Sequence, residues 1–197
     1  MKTHQIPRRP ISAAFTLIEL LIVIVIIAIL ASVAFPVTGM VMDSARKTEA
    51  RNELKNLTGA ISMYRMEYGK LPFKPGDGGE DLEFITDDDN IVAILSGYDI
   101  DGLNPREKVF YEGKRAKGID TETPVGGTYD TGEELKLADP WGKPYYIKID
   151  SNYDKTIEEL PGMEDEELRK DVAAWSESKP KKDGEPLPEE KWLKSWE

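Results

Sequence analysis

The chain has 197 residues, 26 of them basic and 37 acidic, for a formal charge of −11. This length holds one globular domain beside a terminal segment, and the acid excess argues against nucleic acid as a partner, because a phosphate-binding face needs clustered Lys and Arg. Cysteine is absent and the single histidine is His4, which excludes disulfides and, beyond the first residues, any Cys/His zinc site or histidine-based triad.

Residues 1–14 form a short basic leader with Lys2, Arg8 and Arg9 and no acid, so without it 23 basic residues face 37 acidic ones, a formal charge of −14. From Phe15 to Phe35 the chain runs 21 residues with one charge, Glu19. A helix over them reaches about 32 Å at ~1.5 Å per residue, enough for a hydrocarbon core of about 30 Å. A cleaved secretory signal has an apolar region of only about 7–15 residues. Residues 15–35 therefore read as a retained transmembrane helix, with the basic leader inside and the acidic body outside. Glu19 stands out within it, since a carboxylate in hydrocarbon is costly and needs a partner.

The stretch Ala14-Phe15-Thr16-Leu17-Ile18-Glu19-Leu20-Leu21, behind its basic leader, resembles the class III signal of type IV pilins and type II secretion pseudopilins. The resemblance implies that a prepilin peptidase cuts between Ala14 and Phe15 and methylates the new amine of Phe15. It implies that Glu19 pairs with the terminal amine of a neighbouring subunit, and that Pro36 is the family's helix-kinking proline. Ala14 departs from the pattern, which has Gly before the cut.

Beyond Pro36 the helical pattern continues as the extramembrane half of a long helix, residues 36–69. Leu54, Leu57, Ile61, Tyr64 and Tyr68 recur at 3-4-3-4 spacing, one apolar stripe. Gly69 and Pro72 supply the stop. We read one long interrupted helix from Phe15 to Tyr68, followed by a globular domain over residues 70–197.

In that domain Gly69–Asp89 reads as irregular, Asn90 as the N-cap of a short helix Ile91–Ser96, and Gly97 as its end. Val109-Phe110-Tyr111 fits strand or helix equally, and Thr121–Gly132 reads as an exposed loop. Leu135 and Leu137 alternate with lysine, and Asp139–Pro144 forms a rigid turn. Tyr145–Asp150 is a strand with Tyr145, Ile147 and Ile149 on one face and Tyr146, Lys148 and Asp150 on the other. Val172–Ser176 is a second strand, Lys179–Glu190 a loop, and Trp192 and Trp196 place the tail back on the body. The fold class is α+β: a long N-terminal helix packed on a small antiparallel sheet.

Ala138–Tyr145, Val172–Ser176, Asp183-Gly184 and the Trp-rich tail are similar to the major pseudopilin of type II secretion, the protein G family. That resemblance implies calcium, Ca2+, in the C-terminal loop, with Asp183 as its acid and Glu189-Glu190 where paired aspartates are usual. Separately, Asp150, Asn152 and Asp154 have the first three ligand spacings of an EF-hand loop. Lys155 replaces its glycine and Pro161 its closing glutamate.

The function so implied is structural, not enzymatic: a single-pass bacterial inner-membrane protein, its C-terminal domain periplasmic, self-associating into a helical pseudopilus that drives protein secretion. Its implied partners are the prepilin peptidase, the inner-membrane assembly platform and the minor pseudopilins. The alternatives are a type IV pilin for adhesion or motility, and a membrane-tethered binding module or enzyme. Against the last, the sequence has no glycine-rich phosphate loop at a strand–helix junction.

Overall fold

The computed structural model describes residues 15–34, 37–74, 80–118, 123–132, 134–163, 166–181 and 184–197, with backbone alone at 33–34 and 37–40. Two compact units divide the chain, residues up to Asp43 and Ser44–Glu197.

In the first unit, α1 is a helix from Leu17 to Ala34. Its large apolar side chains from Leu17 to Leu30 are exposed. The sequence has no polar stripe here, and a helix apolar all round belongs in an apolar surrounding rather than on a wet surface. Its 18 residues reach about 27 Å at ~1.5 Å each. Among the described residues no helix is long and apolar enough to cross a membrane. The span expected from the sequence ends at Phe35, which with the expected kink at Pro36 lies outside the described residues.

The next helix, α2, runs Val37–Tyr68. From Ser44 it belongs to the second unit, and there the predicted stripe is the spine of the core. Leu54, Leu57, Ile61 and Tyr64 are fully buried, and Tyr68 packs beside them half-buried. Gly69 closes the helix as expected. It is left-handed, at φ 69°, and its N–H donates to the Arg65 carbonyl at 2.8 Å, a stop that glycine adopts without Cβ strain.

The remaining elements are β1 (Leu82–Ile85), α3 (Ile91–Leu95), β2 (Gly127–Asp130), β3 (Leu135–Ala138), β4 (Tyr146–Ile149), β5 (Val172–Ser176), a 3-10 turn (Glu189–Lys191) and β6 (Leu193–Lys194). The main sheet has the order β1-β4-β5-β6, every neighbouring pair antiparallel. Strands β2 and β3 form a separate antiparallel pair.

Alternation along the central strands separates two apolar layers. Tyr145, Ile147, Ile149, Val172 and Ala174 join the α2 core. Ala173 and Trp175 face the other way, into a second cluster with Ile157, Leu160, Tyr146, Trp192 and Trp196. The tryptophan tail thus docks as expected, and it does more: Leu193–Lys194 is the fourth strand, paired with β5.

The structure corrects the sequence reading at four places. Leu82–Ile85, within the stretch expected to be irregular, is an edge strand; its four residues are too few to show a period, and pairing with β4 fixes them. Gly127–Asp130, expected in a loop, is a strand because Gly127 lets the backbone pass against Lys114, where a Cβ would collide with the Lys114 carbonyl. Val109–Tyr111 is neither strand nor helix. Instead the N–H groups of Phe110 and Tyr111 both donate to the Leu95 carbonyl, at 2.8 and 2.9 Å, satisfying the end of α3. Asn90 stands at the N-cap of α3 but makes no side-chain cap bond. Burial of all five residues of α3 holds that helix in place of a cap.

Candidate functional site

The head of α1 is a capping box. The Thr16 hydroxyl accepts from the Glu19 N–H at 3.3 Å, while the Thr16 N–H and hydroxyl donate to one Glu19 oxygen at 2.9 and 2.7 Å. Thr at the cap and Glu three residues on satisfy otherwise orphaned donors at the helix start. The acid that the sequence marks as needing a partner thus has one inside its own subunit. The T-x-x-E spacing ahead of an apolar run was the signal for it, and it was masked by the more conspicuous problem of a charge in hydrocarbon. Phe15, just before the box, is exposed; Ala14 and Pro36 lie outside the described residues.

The acidic loops separate differently from their sequence spacing. Asp183 lies outside the described residues. Nearby, Glu185 meets Lys181 at 3.3 Å, Glu189 accepts the Gly162 N–H at 3.0 Å, and Glu190 is exposed. In the other loop Asn152 and Asp154 bond each other, at 2.9 Å in both directions. Asp154 also accepts the N–H and hydroxyl of Thr156, at 2.8 and 2.6 Å, which hold its carboxyl below the usual range. Asp150 turns away from them into the body, accepting the Lys155 N–H at 3.0 Å. Among the described residues no group of three or more His, Cys, Asp and Glu is arranged to hold a metal. The calcium that the resemblance implies for the C-terminal loop turns on Asp183, which lies outside the described residues.

The turn Asp139–Pro144 is built around one buried acid. Asp139 Oδ1 accepts the N–H groups of Trp141 and Lys143 at 2.8 and 2.9 Å, and Oδ2 accepts the Ser176 hydroxyl at 2.7 Å. Burial pushes its carboxyl up, against the pull of these donors. Gly142 completes the turn at φ 84°. The chemistry of this site is architectural: it clamps the start of β4 to the end of β5.

Residues 9–35 match the family described as the prokaryotic N-terminal methylation motif. The chain carries that motif at its N-terminus. It is also 35% identical over 60 residues to the type II secretion system core protein G of Pseudomonas aeruginosa. That match covers 30% of this chain and 42% of the relative, so the chain spans about two fifths of the length of the curated relative it matches. No solved structure matches the chain.

Proposed function

We propose that the chain is a structural subunit of a type II secretion pseudopilus. In this reading a prepilin peptidase cuts after Ala14 and methylates Phe15. Residues from Phe15 to Phe35 anchor the subunit in the inner membrane, with the body in the periplasm, and α1 then packs among identical helices as the filament grows. The observation that supports it most is α1 itself: an apolar helix exposed on every side, headed by Glu19, inside a methylation motif. Such a surface needs lipid or other helices around it.

The capping box adds a step to the assembly. In the lone subunit Glu19 is held by Thr16; in the filament the Phe15 amine of a neighbour offers a full positive charge instead. Two full opposite charges attract more strongly than a carboxylate and neutral donors, so the exchange favours the polymer. The inner-membrane assembly platform and minor pseudopilins are the proposed partners, and the role is not catalytic.

Intact-mass analysis of the chain from the membrane of a cell with active prepilin peptidase tests the reading. The expected species lacks residues 1–14 and carries one added methyl group. A chain still holding its leader would reject the proposal in favour of a plain tethered module. Processing with loss of surface motility rather than of protein secretion on deletion would move it to the type IV pili.

A further inference from the structure

The sheet face turned away from α2 carries two carboxylates on neighbouring strands. The β1–β4 register pairs Leu82 with Ile149, so one further step sets Asp81 opposite Asp150. Alternation puts both on the side of Glu83 and Lys148. Side chains directly opposite on antiparallel strands lie about 4.5–5.5 Å apart at Cβ, and like charges there repel. Asp150 is only 1% exposed.

The loop that begins at Asp150 fixes both carboxylates in the same way. Asp150 Oδ2 accepts the Lys155 N–H at 3.0 Å and Asp81 Oδ2 accepts the Glu158 N–H at 3.1 Å. In each, the other oxygen, Oδ1, is buried and accepts no hydrogen bond among the described residues. Lys148, beside them on β4, gives its ammonium to the Glu158 and Glu159 carbonyls at 2.8 and 3.5 Å. Burial raises the Asp81 carboxyl, and the charges of Asp150 and Asp154 raise it further while Lys148 and the Glu158 N–H oppose. Two carboxyl groups, each with a buried oxygen that accepts no hydrogen bond among the described residues, thus lie at the root of one loop.

We propose that Asp81 and Asp150 hold a divalent cation, calcium fitting best, that ties the loop of residues 150–163 to the start of β1. The donors are oxygen only, which selects hard cations. The loop is irregular, with Tyr153, Lys155 and Glu159 left-handed at φ 62°, 72° and 54°. Calcium accepts 6–8 oxygens in flexible geometry, including carbonyls and waters, where magnesium demands near-ideal octahedra. The competing occupant is a proton shared by the two carboxyls. A shared proton and a cation both answer the raised Asp81 carboxyl; only the cation would also draw loop carbonyls and waters in as ligands. Its acids, Asp81 and Asp150, are not those of the C-terminal loop, and the site needs no filament.

Calorimetric titration of calcium chloride into the full chain, solubilised in detergent and stripped with chelator, tests it. The comparison set is Asp81→Asn, Asp150→Asn, Asp183→Asn and the exposed control Asp88→Asn, with circular dichroism checking each fold. The expected result is one calcium per chain, bound at least tenfold more weakly by Asp81→Asn and by Asp150→Asn and equally by Asp88→Asn. Calcium should also slow tryptic cutting at Lys155 in the wild-type chain. If Asp150→Asn fails to fold, the half-buried Asp81→Asn decides alone. No binding at millimolar calcium, binding that survives both Asn variants, or binding lost only in Asp183→Asn overturns the proposal. So does a calcium-indifferent chain that Asp81→Asn stabilises, the mark of a shared proton.

Discussion

Leu17, Ile22, Ile26 and Leu30 of α1 are all exposed, while Leu54, Leu57 and Ile61 of α2, residues of the same kinds on the same kind of helix, are at 0% exposure. The body closes its own core: α2 from Ser44 lays one stripe on the sheet and turns charge outward. Nothing described in the N-terminal unit does this for α1. Apolar content alone does not say where a helix is buried; its distribution round the axis does. A one-sided helix is stabilised by its own chain, an all-round helix by its surroundings.

Truncation measures that difference most strongly. Leu57→Ala should destabilise the body by about 2–5 kcal/mol, the range for a large-to-small change in a packed core, read from denaturant melts of the full chain in detergent. An equal loss from Ile22→Ala would break the comparison. Next in size is Asp139→Ala, which strands the Trp141 and Lys143 amides and the Ser176 hydroxyl and should cost about 1–3 kcal/mol.

Asp139 also makes a pH prediction with a definite sign. Its folded carboxyl is raised by burial, so the folded chain keeps a proton that the unfolded chain loses above about pH 4. The stability this group contributes is present at low pH and falls as pH rises through the folded value. Relative to Asp139→Asn, the wild type should therefore lose stability from pH 4 upward. A difference that grows with pH contradicts the assignment.

Smaller still is the ion pair of Arg65 with Asp171, whose side chains are 34% and 44% exposed. Solvent screens such a pair, and Asp171→Asn should cost no more than about 1 kcal/mol. Smallest is Ile22→Ala, expected to change the melt of the body by less than about 0.5 kcal/mol while weakening whatever α1 packs against.

Much of this was legible in the sequence where a period could repeat. The stripe from Leu54 to Tyr68 passes through four intervals, and the strands at Tyr145 and Val172 alternate or are buried on both faces, so local pattern and tertiary contact agree. β1 and β2 were not legible, because four residues carry too little periodicity and their pairing comes from distant chain. The second face of β4 was legible only as a face. Lys148 and Asp150 fall on it by alternation, and their 8% and 1% exposure comes from the loop of residues 150–163, which folds back over them. Asp81, opposite Asp150, carried no motif at all. Register alone brings the two together, and a register is not written in either strand by itself.

In the proposed function α1 is the assembly element and Glu19 the group that commits it. Glu19→Leu tests this most directly, because it makes the helix more apolar and so suits a plain anchor at least as well. Membrane level, leader removal and filament yield should be measured together in cells expressing the variant in place of the native chain. The expected outcome is normal level and processing with no filaments and no secretion. Filaments and secretion at the native level from Glu19→Leu would contradict it.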